Sequence, residues 1–339
     1  MLNNTENLIK QVFDEMVKVK PHLSNYIRYN DDGTINFPKL GNEMVENFPW
    51  PIGIELRRLF TKTALGRDLL THIFRTFERT LQFISFIMVS QLVEEKVKNR
   101  ISIPENFKKE FRHRFPVLSL GDYTWLITSI GNLLKQQNFE WFMPEISENF
   151  NKGFYEILNT LVLPRNILMH FQSNPTNQDI ERDCIVFEEK LTKVLSKIAF
   201  LVNYKLVFVK DITVVKSKNH EAFFQHSMDL LHNTHSDFST SKIEGVKFTE
   251  SNSVLLMKQT KSIGEYLNLS PLVIDTKSEV IDDHERFSII GDIYLYSKYS
   301  DGHLMYVGTE APEICDLRSL HNYSTLVEEF NEILSVLSS

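Results

Sequence analysis

From Arg67 to about Asn99 the chain runs without a proline or a glycine, and apolar residues recur every three or four positions: Leu69, Leu70, Ile73, Phe74, Phe77, Leu81, Ile84, Met88, Leu92 and Val93. That period belongs to an α-helix that buries a stripe of its surface. A helix of this extent is about 50 Å long, so whatever the chain folds into must pack along it. Its greasiest run, Leu81 to Val93, contains Gln82, Ser85 and Ser90. The run falls well short of the about 20 apolar residues that a bilayer span needs. A buried core helix is expected, with no membrane association.

Other helical patterns lie on both sides of it. Leu8, Val12, Phe13, Met16 and Val19 predict a helix over 5–19. Residues 20–50 are expected to be irregular, with a turn at Asn30-Asp31-Asp32-Gly33. Phe48-Pro49-Trp50-Pro51 then forms a rigid strap leading into a short helix, Ile54 to Phe60. Asp122 is read as the cap of a helix from Tyr123 to about Gln137, and another helix runs from Glu145 toward Leu161. Thr176 and Asp179 are spaced as a capping pair ahead of a helix over 177–201.

Near residue 203 the composition changes. Leu206-Val207-Phe208-Val209, Ile212-Thr213-Val214-Val215, Val254-Leu255-Leu256-Met257 and Leu272-Val273-Ile274 are β-branched and aliphatic runs of strand length. Asp301-Gly302, between two such runs, is a hairpin signal because the dipeptide accepts positive φ. A helix from Ser324 to about Leu337 closes the chain. The expected class is α+β: an all-α bundle over 1–203, then a β-rich domain over 204–339 that serves as a sensor, regulator or binding module.

The net charge of -7 excludes a generally nucleic-acid-coating surface, which would be basic, and leaves room for a local basic cleft. Two cysteines, Cys184 and Cys315, form neither a disulfide framework nor a zinc pattern. With an N-terminus lacking a basic lead and an apolar core, they point to a reducing cytoplasm.

One stretch carries chemistry. In Leu161-Val162-Leu163-Pro164-Arg165-Asn166-Ile167-Leu168-Met169-His170, an apolar run meets a proline and then an arginine, an asparagine and a histidine within six positions. Arginine brings a permanent planar charge suited to phosphate, and histidine titrates near neutrality and serves as acid or base. On a straight helix Arg165 and His170 lie roughly 140° apart with a rise of about 7.5 Å. A bend after Pro164, a frayed end or a second subunit is needed to bring them together. A buried polar pair with an ordinary histidine is the structural alternative.

The spelling R-N-x-x-x-H resembles the signature of the HEPN superfamily, small helical bundles of which many are metal-independent ribonucleases. The resemblance implies catalytic roles for Arg165, Asn166 and His170, and an active cleft formed where two bundles pair, hence a homodimer or larger homo-oligomer. It implies an RNA substrate cut by its own 2′-hydroxyl, with no cofactor and no metal. Some relatives carry an acidic residue on an early helix, a place that Glu78 fills here. A toxin or anti-phage defence effector, under a regulatory protein or small-molecule trigger, is the expected setting. The alternative is a non-catalytic HEPN-like module that binds nucleotides, RNA or protein.

Three further groups are candidates. Arg67, Asp68 and His72 repeat the looser arginine-to-histidine spacing and form an alternative site. Lys108, Lys109, Arg112 and Arg114 lie in the most basic region, interleaved with aromatic residues as RNA-binding grooves are. A solvated helical elbow has the same look. His220, His226, Asp229, His232, His235 and Asp237 cluster in sequence without any standard metal-ligand spacing.

Overall fold

The computed structural model describes residues 4–62, 64–137, 139–169, 175–231, 240–245, 249–258, 264–276, 292–311 and 313–339. In chain order the helices are α1 (Asn4–Val19), α2 (Phe37–Asn47), α3 (Trp50–Phe60), α4 (Arg67–Val97), α5 (Glu105–Arg114), α6 (Leu120–Gln136), α7 (Glu145–Asn149), α8 (Lys152–Asn159), α9 (Val162–Met169) and α10 (Asn177–Lys197). The strands follow: β1 (Lys205–Val215), β2 (Phe223–Leu230), β3 (Thr240–Gly245), β4 (Ser253–Met257), β5 (Tyr266–Asn268), β6 (Val273–Asp275), β7 (Ile293–Ser300), β8 (His303–Gly308) and β9 (Ile314–Asp316). Helix α11 (Tyr323–Ser338) closes the chain. The class is α+β, and between β1 and α11 no helix occurs among the described residues.

Helix α4 is buried on all sides through its middle, since every residue from 79 to 92 is buried. No helix among the described residues is long and apolar enough to cross a membrane.

Three local readings need correction. The stretch 20–50 is not irregular: a 3-10 turn spans Pro21–Tyr26, and α2 follows. Asn36 caps α2 by accepting from the Lys39 N–H at 3.1 Å, and Pro38 sits in the first turn, where its missing N–H costs nothing. Proline and asparagine, which read as loop signals, here start a helix. At the start of α6 the N-cap is Ser119, not Asp122. Asp122 Oδ2 instead accepts from the Ser119 N–H at 3.0 Å and from its hydroxyl at 2.6 Å. The Thr176–Asp179 capping box at α10 is present in both directions, each backbone N–H donating at 3.2 Å. The run from Glu145 toward Leu161 is broken into α7 and α8, with Asn151 capping the second.

The changeover from helix to strand at 203–205 is not the boundary between compact units. The described residues of 1–82 and 143–204 form one unit, and those of 83–142, 205–231 and 237–339 form another. In the first, α1 packs on α10 and α2, and α2 on α3. Gly53 is required there, because a side chain would meet the Val45 carbonyl oxygen at 2.5 Å. Phe154, Leu158, Phe187 and Leu191 are buried within it.

The second unit holds two antiparallel sheets, in strand orders β3-β2-β1-β4-β5 and β6-β7-β8-β9. The runs 206–209 and 212–215 are one strand, with a bulge where Lys210 has no partner across the ladder. Val207, Val209, Met228, Ile243, Leu255 and Met257 fill the core of the larger sheet. In the β7–β8 hairpin, Asp301 and Gly302 take φ of 54° and 80°, the geometry that the dipeptide favours. Residues 83–142 belong here because the segment after α5 joins the smaller sheet. The Tyr296 hydroxyl donates to the Phe115 and Pro116 carbonyls at 3.1 and 3.0 Å, and the Phe115 ring lies 5.6 Å from both Tyr296 and Phe330.

Candidate functional site

Helix α9 begins three residues before Arg165, so Pro164 occupies its first turn, where backbone N–H groups lack partners anyway. The helix resumes at once, with the Arg165 N–H donating to the Leu161 carbonyl at 3.2 Å. Pro164 therefore permits the turn on which Arg165 and Asn166 stand.

Arg165 reaches Glu78, the residue immediately before the fully buried part of α4. Its Nη2 donates to both carboxylate oxygens of Glu78 at 3.2 Å, and its Nη1 lies 3.4 Å from the Asn166 side-chain carbonyl. One nitrogen thus serves both oxygens at the long end of the hydrogen-bond range, unlike a fork in which two parallel bonds hold the pair. The side chains are 19% and 32% exposed, so the pair stands at the edge of the core. Arg165 Nε is buried and has no hydrogen-bond partner among the described residues. The neighbouring Arg79 donates to the side-chain oxygen of Gln82 at 2.7 Å. Glu78 and Arg165, both singled out in the sequence, are brought together along with Asn166. His170 lies outside the described residues.

The alternative group is arranged differently. Asp68 is exposed and pairs with Lys62 at 2.9 Å; His72 Nε2 is 3.6 Å from Asp68 Oδ1. The Lys62 ammonium holds the Asp68 carboxyl below its ordinary range. Burial, followed by the Lys62 charge, pushes His72 down, although Asp68 pulls against them. A neutral imidazole results at physiological pH. Its Nδ1 is buried with no partner among the described residues. Arg67 is exposed at the start of α4.

The basic residues of α5 lie in the other compact unit. Lys108 pairs with Glu105 at 2.6 Å, and Arg114 pairs with Glu110 at 2.9 Å and Asp122 at 3.1 Å. Arg112 donates to the Ser338 carbonyl. Lys109 is exposed. The interleaved rings Phe107, Phe111 and Phe115 are buried and stacked on one another, so they are not offered to bases.

In the histidine-rich stretch, His226 is buried and accepts from the Thr249 N–H at 3.2 Å, while Asp229 pairs with Lys210 at 2.7 Å. Burial pushes His226 down. His220 is exposed, and His232, His235 and Asp237 lie outside the described residues. Among the described residues no three His, Cys, Asp or Glu side chains come together as a metal site.

In the first compact unit, sequence reading passed over two buried acids. Glu55, on α3, receives Arg58 Nη1 at 2.9 Å. Glu188, on α10, accepts from the Thr5 hydroxyl at 2.8 Å. Glu188 stands four residues after Cys184 and three before Leu191, in the middle of the apolar stripe of its helix. A carboxylate at such a place is the signal that could have found it.

Comparison with protein-family models, with curated proteins and with solved structures finds no match to this chain.

Proposed function

We propose that this chain is a metal-independent endoribonuclease of the HEPN type, working in a paired form as a toxin or anti-phage defence effector. The observation that carries the reading is the cluster of Glu78, Arg165 and Asn166, in which Arg165 is within hydrogen-bonding reach of both of the others. Arg165 supplies fixed positive charge for the scissile phosphate. Its hold on Glu78 is long and shared through one nitrogen, so a phosphate can compete for the guanidinium. Glu78 orients that side chain, and Asn166 flanks it.

His170 is assigned the proton transfer. The RNA 2′-hydroxyl loses its proton to a base as it attacks the adjacent phosphorus. The bond from phosphorus to the 5′-oxygen breaks, and an acid protonates that oxygen. The products are a 2′,3′-cyclic phosphate and a 5′-hydroxyl. No step in this sequence calls on a metal.

A second reading, a non-catalytic HEPN-like module that binds nucleotides, RNA or protein, is favoured by the same ion pair, because Glu78 already compensates the Arg165 charge. Incubation of the full chain with tRNA and mRNA in EDTA separates the two. Cleavage leaving cyclic phosphate ends supports the nuclease. RNA that is bound and left intact supports the module.

A further inference from the structure

Helices α1, α2, α3, α10 and the start of α4, with the segment between α3 and α4, line an open cavity of about 590 Å³ within the first compact unit. Ile9, Phe37, Val45, Phe60, Leu69 and Ile185 give it apolar walls. Glu188 also lines it and is only 2% exposed. One of its carboxylate oxygens is taken by Thr5; the other, Oε2, is buried without a hydrogen-bond partner among the described residues. A buried polar atom in that condition is rare in folded proteins and calls for a partner. A second carboxylate, Glu6, lines the same cavity. Two cations, Arg57 and Lys62, also line it, and Lys62 is engaged by Asp68 at 2.9 Å.

We propose that this cavity binds a small molecule with an aromatic or branched apolar body and an amine that hydrogen-bonds to Glu188 Oε2. The apolar walls take the body by removing its surface from water. The amine supplies the donor and the compensating charge that the protein leaves out. Burial pushes the Glu188 carboxyl above its ordinary range, with the Thr5 bond pulling part of the way back, and a bound ammonium favours the ionised form. Neither Arg165 nor Glu78 lines the cavity, so the inference stands apart from RNA cleavage.

The test is equilibrium dialysis of the full chain at pH 7 with three probes that share one ring system: tryptamine, 3-methylindole and indole-3-acetate. Tryptamine should bind at a single site and at least about tenfold more tightly than 3-methylindole, the scale of a hydrogen bond to a charged group. Indole-3-acetate should bind more weakly than either. Glu188→Gln should bring tryptamine down to the level of 3-methylindole. Ile185 is 39% exposed at the cavity edge, so Ile185→Trp should narrow the opening without disturbing the core and weaken both bound probes. Absence of tryptamine binding, equal binding of tryptamine and indole-3-acetate, or tryptamine affinity unchanged in both variants would overturn the proposal.

Discussion

Arg165 on α9 and Glu78 on α4 are separated by 87 positions in sequence, and one guanidinium nitrogen bridges both oxygens of the carboxylate at 3.2 Å. The pair is partly exposed, and its bonds are long, which makes it a weak contributor to folding. Glu78→Gln keeps the shape and removes the charge, and should change stability by less than about 1 kcal/mol. Urea denaturation of the variant beside the parent checks this. A loss of several kcal/mol would mean that the pair is a structural strut, and that Arg165 is not available to a phosphate.

The core of the first unit should respond far more strongly. Phe187 is buried, with its ring 4.8 Å from that of Phe74 and the Lys190 ammonium 4.7 Å from the ring centre. Phe187→Ala should destabilise the fold by about 3–5 kcal/mol, combining lost burial with the cavity left behind. A change below about 1 kcal/mol in the denaturation free energy would contradict the buried placement.

The buried Glu188 predicts a pH dependence. Burial raises its carboxyl above the ordinary value of 4.5, so the folded protein holds that proton more tightly than the unfolded chain. Stability linked to this group is complete below the unfolded value and is lost as pH rises through the raised folded value. Glu188→Gln removes the titration and retains an oxygen for the Thr5 hydroxyl. Without ligand, the variant should be more stable than the parent at pH 7, with the difference shrinking toward pH 4. Urea midpoints across that range test it; a difference that does not vary with pH would show that Glu188 is solvated.

What could be read in the sequence was mostly local. The long helix α4, the Thr176–Asp179 cap and the Asp301-Gly302 turn each depend on residues within a few positions of one another, and each is present as expected. Helix α2 was hidden because Asn36 and Pro38 have the same composition whether they end a loop or start a helix. The grouping of 83–142 with the sheets depends on Tyr296 reaching the carbonyls of Phe115 and Pro116, which no local pattern announces. At the candidate site, the R-N spelling and the acid at 78 were each visible, but that the two meet is a matter of tertiary packing. Glu188 was legible in principle as an acid within an apolar stripe, yet the cavity beside it was not, since five helices and a connecting segment line it.

The rate of RNA cleavage in EDTA by the full chain, beside its His170→Ala and Arg165→Ala variants and with denaturation midpoints measured in parallel, decides whether the chain is a metal-independent nuclease. The parent should cleave RNA to 2′,3′-cyclic phosphate ends, with a fall of about 100-fold or more in each variant and the fold retained. Cleavage by His170→Ala at the parental rate, or RNA left intact by the parent, would contradict the nuclease reading.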